Sequence, residues 1–245
     1  METVNVRGIP FANLTKESAA ALVKERLDSG MPTTVFTPNS EIVQDCAENE
    51  EFRRAVLSAD ILLPDGIGVV KAAKIAGTPL REKVAGVEFG EELFRTLPGR
   101  SFYILGGKPG VAEDACANIG KKYGVRFAGC RDGYFEKTKD ASDAVVEEIN
   151  SSGADALYVC LGSPYQETWV YENRSAISAP LVIALGGSVD VYAGKVKRAP
   201  KIFIKLGLEW LWRLIRQPSR IGRMMKLPKF YFETKREIKQ SKKKK

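Results

Sequence analysis

The chain has 245 residues, 44% of them hydrophobic, enough for the core of one large or two small domains and too apolar for global disorder. Its net charge of +8 hides an asymmetry, because residues 195–245 hold 18 Lys and Arg against three acids while residues 1–194 are acidic on balance. There is no histidine, which excludes Ser-His-Asp and Cys-His catalysis and His-ligated zinc, so a general base falls by default to Asp or Glu.

Met1–Gly8 has no apolar leader, and no run approaches the roughly 18–20 apolar residues of a membrane span. The cysteines, Cys46, Cys116, Cys130 and Cys160, form no CxxC and read as free thiols of a reducing cytosol. Val4–Ile9 reads as a first strand. A helix is expected over Lys16–Ser29, capped by Asn13 or Thr15 and stopped by Gly30. Thr33–Phe36 is a β-branched strand, followed by one long helix to Leu57 with Thr37 as its cap and Pro38 at its first position. Ile61–Leu63 is a buried strand ended by Pro64, and Ile67–Ala76 is a helix, so Asp65 stands between a strand end and a helix mouth. On local sequence alone a helix cap is the favoured reading of Asp65, and capping is also a good account of Thr37 and Asn39. Residues 78–87 read as a loop or lid, Glu88–Leu97 as a helix, and Pro98-Gly99-Arg100 as a domain break.

A steady rhythm follows. Strands at Ser101–Leu105, Val125–Gly129, Ala156–Leu161 and Leu181–Leu185 alternate with helices at Val111–Tyr123, Asp140–Asn150 and through Arg174. The strands are near-continuously apolar, as in a parallel sheet covered on both faces. The expected fold is therefore α/β and Rossmann-like, with a mostly parallel sheet and helices on both faces. Residues 1–100 and 101–194 are read as two subdomains, and 195–245 as a C-terminal helical, basic, amphipathic appendage.

Crossovers of one hand put all the strand-to-helix loops at one sheet edge. Several open with glycine, bringing bare N–H groups together as a diphosphate requires. The nucleotide set expected there is Gly106, Gly107, Tyr134, Gly186, Gly187 and Asp190, with Asp190 accepting from a uracil N3–H or a ribose hydroxyl, or serving only as a turn residue. Neither GxGxxG nor a P-loop is present, which counts against a nucleotide-dependent oxidoreductase or epimerase. In the appendage, Lys201–Arg216 (KIFIKLGLEWLWRLIR) has the Trp-bearing amphipathic pattern of an interfacial membrane helix, or of a helix packed on the body. Glycine loops at a sheet edge have no place in a module that merely binds nucleic acid.

Thr37-Pro38-Asn39, Asp65-Gly66-Ile67-Gly68, Gly162-Ser163-Pro164-Tyr165-Gln166-Glu167, Val189-Asp190, Ala193-Gly194, Arg198-Ala199-Pro200, Glu209-Trp210, Arg213, Pro218-Ser219-Arg220 and Arg223 occur in the order seen in the WecG/TagA/CpsF glycosyltransferases. The chain resembles that family from about residue 5 to 230, and most resembles its N-acetylmannosaminyltransferase branch. The resemblance implies inverting transfer of N-acetylmannosamine from UDP-ManNAc to undecaprenyl-diphosphate-GlcNAc, for wall teichoic acid linkage-unit synthesis. It implies no metal or other cofactor, and work at the inner face of the cell membrane by a cytoplasmic, peripheral protein. It further implies Asp65 as base, Thr37, Asn39 and Gln166 around the sugars, and Arg213, Arg220 and Arg223 on the diphosphate. Relatives with other donors, such as UDP-ManNAc uronic acid, share these motifs. The sequence has no Asp-x-Asp, the usual holder of a metal on a leaving UDP. The expected partners are the UDP-sugar, the lipid-linked GlcNAc and an anionic membrane surface, without nucleic acid, and with a homo-oligomer possible off the membrane.

Overall fold

The structure is a computed structural model describing residues 1–216, 218 and 221–243; for residues 201, 205, 213, 223 and 241–243 only the backbone is described. Arg213 and Arg223 therefore lie outside the described side chains, and Arg220 outside the described residues altogether.

The chain opens with an antiparallel hairpin, β1 (Thr3–Val6) and β2 (Ile9–Ala12), where one strand over Val4–Ile9 is expected. Arg7 at φ 51° and Gly8 at φ 83° make the turn that divides it. Helix α1 (Lys16–Asp28) follows, with Thr15 and Ser18 forming a reciprocal cap. β3 (Thr33–Phe36) leads to α2 (Ser40–Glu48) and α3 (Glu50–Leu57). The single long helix expected here is two, because Asn49 leaves helical geometry and its side chain caps α3 through Phe52 N. Then come β4 (Ile61–Leu62), α4 (Ile67–Ala76), α5 (Gly86–Thr96), β5 (Ser101–Gly106) and α6 (Val111–Tyr123). β6 (Arg126–Arg131), α7 (Lys139–Ser152), β7 (Ala156–Cys160), α8 (Tyr165–Asn173), β8 (Leu181–Ala184) and α9 (Ser188–Tyr192) complete the body.

Six parallel strands form one sheet in the order β4-β3-β8-β7-β5-β6. β3 pairs with β8, so strands from either side of residue 100 share that sheet. Strand residues alternate between two cores. Phe36, Tyr103, Leu105, Leu157, Val159, Val182 and Ala184 face α2, α3, α4, α7 and α8, whose Val43, Phe52, Val69, Val145 and Trp169 fill that side. Val35, Phe102, Ile104, Tyr158, Leu181 and Ile183 face α1, α5, α6 and α9. A two-residue period in a sheet covered on both faces makes both sets apolar, hence the continuous apolar runs.

The C-terminal part holds α10 (Lys201–Lys205), α11 (Glu209–Arg216), α12 (Ile221–Met224) and α13 (Lys226–Lys243). The amphipathic stretch is broken at Gly207, whose φ of 70° is a left-handed conformation no helix continues. α13 packs on α2 and α4 and buries Phe230 and Thr234. Arg7 reaches across to it, meeting Glu233 at 2.6 Å and Glu237 at 2.9 Å, while Lys226 pairs with Asp45 and Lys229 with Glu48. Among the described residues no helix is long and apolar enough to cross a membrane.

Candidate active site

Every strand of the sheet ends at one edge, and a loop after each of the six lines a single cavity of about 1500 Å³. Thr37 follows β3, Asp65 β4, Gly107 β5, Gly133 and Tyr134 β6, Gly162 and Ser163 β7, and Gly186 and Gly187 β8. The wall opposite comes from residues 195–232, including Trp212, Leu214 and Met224. This is the carboxyl edge where open α/β sheets bind ligands.

Asp65 does not cap α4. The N-cap is Gly66, at φ 83° and with no side-chain bond to the helix. The Asp65 carboxylate instead turns toward the start of α5, where Gly86 N–H donates to Oδ2 at 3.5 Å, and its own N–H donates to Pro38 O at 3.2 Å. Thr37 is not the cap of α2 either. Asn39 is, its Oδ1 accepting from Glu41 N at 2.9 Å and Ile42 N at 3.1 Å. An Asn side chain has a carbonyl and an amide end, so capping by Oδ1 turns the Nδ2 end away from the helix. Thr37 Oγ1 lies 3.5 Å from Ala184 O, and Gly86 is pressed so close that a Cβ there would come within 2.9 Å of that hydroxyl. Thr37, Asp65 and Gly86 thus form one packed corner. The expected lid beside them is a packed loop, with Leu80 and Val84 buried and Val84 N–H donating to Pro64 O.

Gln166 sits in the first turn of α8, 4% exposed. Its Oε1 accepts from Gly186 N at 2.9 Å and Gly162 N at 3.3 Å, and its Nε2 donates to Glu167 Oε1 at 2.8 Å. One side chain therefore holds the glycine turns after β7 and β8 in register. Gly107 O accepts from Gly133 N, linking the turns after β5 and β6 in the same way. Gly106, expected to bind nucleotide, is not among the lining residues. At φ 139° its Cα faces Cys160, whose carbonyl oxygen would stand 2.3 Å from an added Cβ, so close strand packing already requires a glycine there. Tyr134 is 69% exposed at the rim, and Asp190, on α9, lines the wall beside Gly187.

Two ion pairs at the mouth have no forerunner in the expected set. Lys83 meets Glu209 of α11 at 3.4 Å, and Arg198 meets Glu88 of α5 at 2.7 Å. The charge of the 78–88 loop carries the only sequence signal for them. Gly207 packs on Ile67, two residues beyond Asp65, an added Cβ lying 3.0 Å from it. The appendage thus touches the first residue of α4, two positions beyond the carboxylate.

A sequence model described as the Glycosyl transferase WecG/TagA/CpsF family matches residues 4–244. The chain is 32% identical over 234 residues to a protein of Bacillus spizizenii (strain ATCC 23059 / NRRL B-14472 / W23) named N-acetylglucosaminyldiphosphoundecaprenol N-acetyl-beta-D-mannosaminyltransferase, covering 94% of this chain and 90% of that one. It is 31% identical over 246 residues to the protein of the same name from Bacillus subtilis (strain 168), covering 99% and 94%.

Proposed function

The chain belongs to the WecG/TagA/CpsF family of glycosyl transferases, and from that premise we propose that it moves N-acetylmannosamine from UDP-ManNAc to the 4-hydroxyl of the GlcNAc in undecaprenyl-diphosphate-GlcNAc. The product is a β-linked disaccharide on its lipid carrier, the linkage unit of a wall teichoic acid. The observation that carries this reading is that Asp65, Thr37 and Gln166 line one cavity at the carboxyl edge of the sheet.

Asp65 serves as general base. Its carboxylate takes the proton of the acceptor hydroxyl as that oxygen bonds to the anomeric carbon of the donor. The bond from that carbon to the UDP oxygen breaks, and its electron pair leaves with the diphosphate. Attack opposite the leaving group inverts the anomeric centre. Thr37 and the Nδ2 end of Asn39 orient the sugars, and Gln166 reaches the sugar nearest the breaking bond. Glycine-turn N–H groups at Gly107, Gly186 and Gly187 and the appendage residues Arg213, Arg220 and Arg223 offset the negative charge that grows on the UDP. With no Asp-x-Asp in the sequence, these cations replace a metal. Asp190 takes the uracil or ribose, with Tyr134 at the rim.

The acceptor's lipid lies in a bilayer, and the appendage carries the matching surface. Ile202, Leu206, Ile215, Ile221 and Met225 are each more than half exposed, among a dense run of Lys and Arg. Insertion of that face at an anionic inner leaflet brings the cavity to the lipid head group.

The test is purified protein with UDP-ManNAc and a synthetic lipid-diphosphate-GlcNAc. A ManNAc-GlcNAc lipid forms and EDTA leaves the rate unchanged. No product from UDP-ManNAc beside product from UDP-ManNAc uronic acid would move the protein to the other donor, and no product from either would overturn the reading.

A further inference from the structure

Among the described residues, Glu167 is the one buried acid that the reaction above leaves unused. It is 1% exposed, in the first turn of α8, directly behind Gln166. Oε1 accepts from Gln166 Nε2 at 2.8 Å. Oε2 and the hydroxyl of Ser163 are both buried and neither makes a hydrogen bond of full geometry, although Ser163 lies close enough to Glu167 to oppose the effect of burial on its carboxyl. Burial pushes the carboxyl above its usual range, and Asp45 of α2 adds to that push. The Gln166 hydroxyl-free amide has two acceptor sites and two hydrogens. Both acceptor sites are taken by Gly162 N and Gly186 N, and one hydrogen by Glu167. One Nε2 hydrogen is left, on a side chain that lines the cavity.

We propose that Glu167 is a positioning residue for sugar transfer: its buried carboxyl fixes the Gln166 carboxamide in the orientation that offers the remaining Nε2 hydrogen to the donor sugar. This rests on the glycosyl transfer proposed above. An amide can otherwise rotate by half a turn, exchanging its oxygen and nitrogen. The two glycine N–H groups favour the oxygen on one side, and Glu167 holds the nitrogen on the other.

The experiment compares Glu167→Gln with Glu167→Met. Gln keeps an acceptor for Gln166 Nε2 in nearly the same volume. Met fills the same volume and accepts nothing of use. We expect E167Q to retain turnover within about threefold. E167M falls at least tenfold in kcat, with UDP affinity by calorimetry within about threefold of the parent. The amide is read directly as well. In ¹H–¹⁵N spectra the Gln166 side-chain NH₂ pair, assigned by its loss in Gln166→Glu, stays in place in E167Q and shifts or broadens in E167M. Loss of turnover in E167Q would make Glu167 an ionised participant and overturn the proposal. So would an unshifted Gln166 amide in folded E167M. The spectra need no turnover, so the proposal can fail while the reaction stands, and the reverse.

Discussion

Gln166 Oε1 and Gly186 N meet at 2.9 Å, joining α8 to the turn after β8 at the floor of the cavity. The same oxygen takes Gly162 N, so the carboxamide braces two of the six loops that make the site. Gln166→Glu separates its two duties. A carboxylate still accepts both backbone N–H groups, but it has no hydrogen to donate. The variant should fold, by circular dichroism, and lose at least tenfold in kcat. Gln166→Leu removes the shared acceptor oxygen and leaves two part-buried N–H groups unpaired, at up to about 1–3 kcal/mol each. Its melting temperature should drop well below that of the Glu variant.

Asp65→Asn keeps shape and the contact with Gly86 N–H while removing the proposed base. General base catalysis contributes typically about 10²–10⁴-fold, and turnover should fall by that much. UDP binding, measured by calorimetry, should stay within about threefold. Undiminished turnover would assign the proton to another group.

Glu167 has a stability signature of its own. Its folded-state pKa is raised by burial, with Asp45 adding to it and the Gln166 and Ser163 contacts opposing it, while Cys46 lies near enough for Glu167 to push its thiol up. A raised acid binds more protons folded than unfolded, so its contribution is full below the unfolded carboxylate value and fades as pH rises toward the folded one. Wild type should therefore lose stability relative to E167Q as pH climbs from about 5 upward. A constant difference in denaturation midpoint across that range would contradict it.

Asp155 runs the other way. It accepts from Ser101 N, Ser101 Oγ and Arg100, and the hydrogen bonds outweigh desolvation to hold its carboxyl below the usual range. Its contribution is present above the unfolded value of about 4 and is lost as pH falls through the lower folded value. Asp155→Asn should flatten the acid limb of the stability curve below about pH 4.

Gly106 and Gly99 both have positive φ, and they predict opposite extremes of tolerance. At Gly106 an added methyl meets the Cys160 carbonyl at 2.3 Å, backbone that cannot swing aside. Strain and overpacking together put Gly106→Ala at about 3 kcal/mol or more. At Gly99 nothing lies within 4 Å, leaving only the conformational term, about 1 kcal/mol. Chemical denaturation of the two variants measures the difference.

The strand rhythm was legible because a sheet covered on both faces needs apolar residues at successive positions, and Ser101–Leu105 and Ala156–Leu161 carry them. The corner at Asp65 was legible only in part. Its place at the sheet edge follows from Pro64 and Gly66, but the choice between capping α4 and facing α5 depends on Gly86, 21 residues on. Thr37 and Asn39 were both candidates to cap α2, and Asn39 takes the role: neighbouring residues can start a helix, and a single hydrogen-bond set decides. Asn49 broke α2 from α3 through a local cap that hydrophobic periodicity does not register. Gly106 carried the glycine signal of a ligand loop, yet its use is against Cys160 in a neighbouring strand. Lys83–Glu209 and Arg198–Glu88 join segments more than 100 residues apart, and charge alone does not name such partners.

The Arg7 clasp also sets an order of events during synthesis. Its partner Glu233 is made 226 residues later, after every strand of the sheet has been translated. The body therefore completes its sheet while the surface that receives α13, around Gln44, Asp45 and Glu48, is still uncovered. A growing chain stalled near residue 200 presents that bare, partly apolar patch to chaperones, and the last turn of translation hides it.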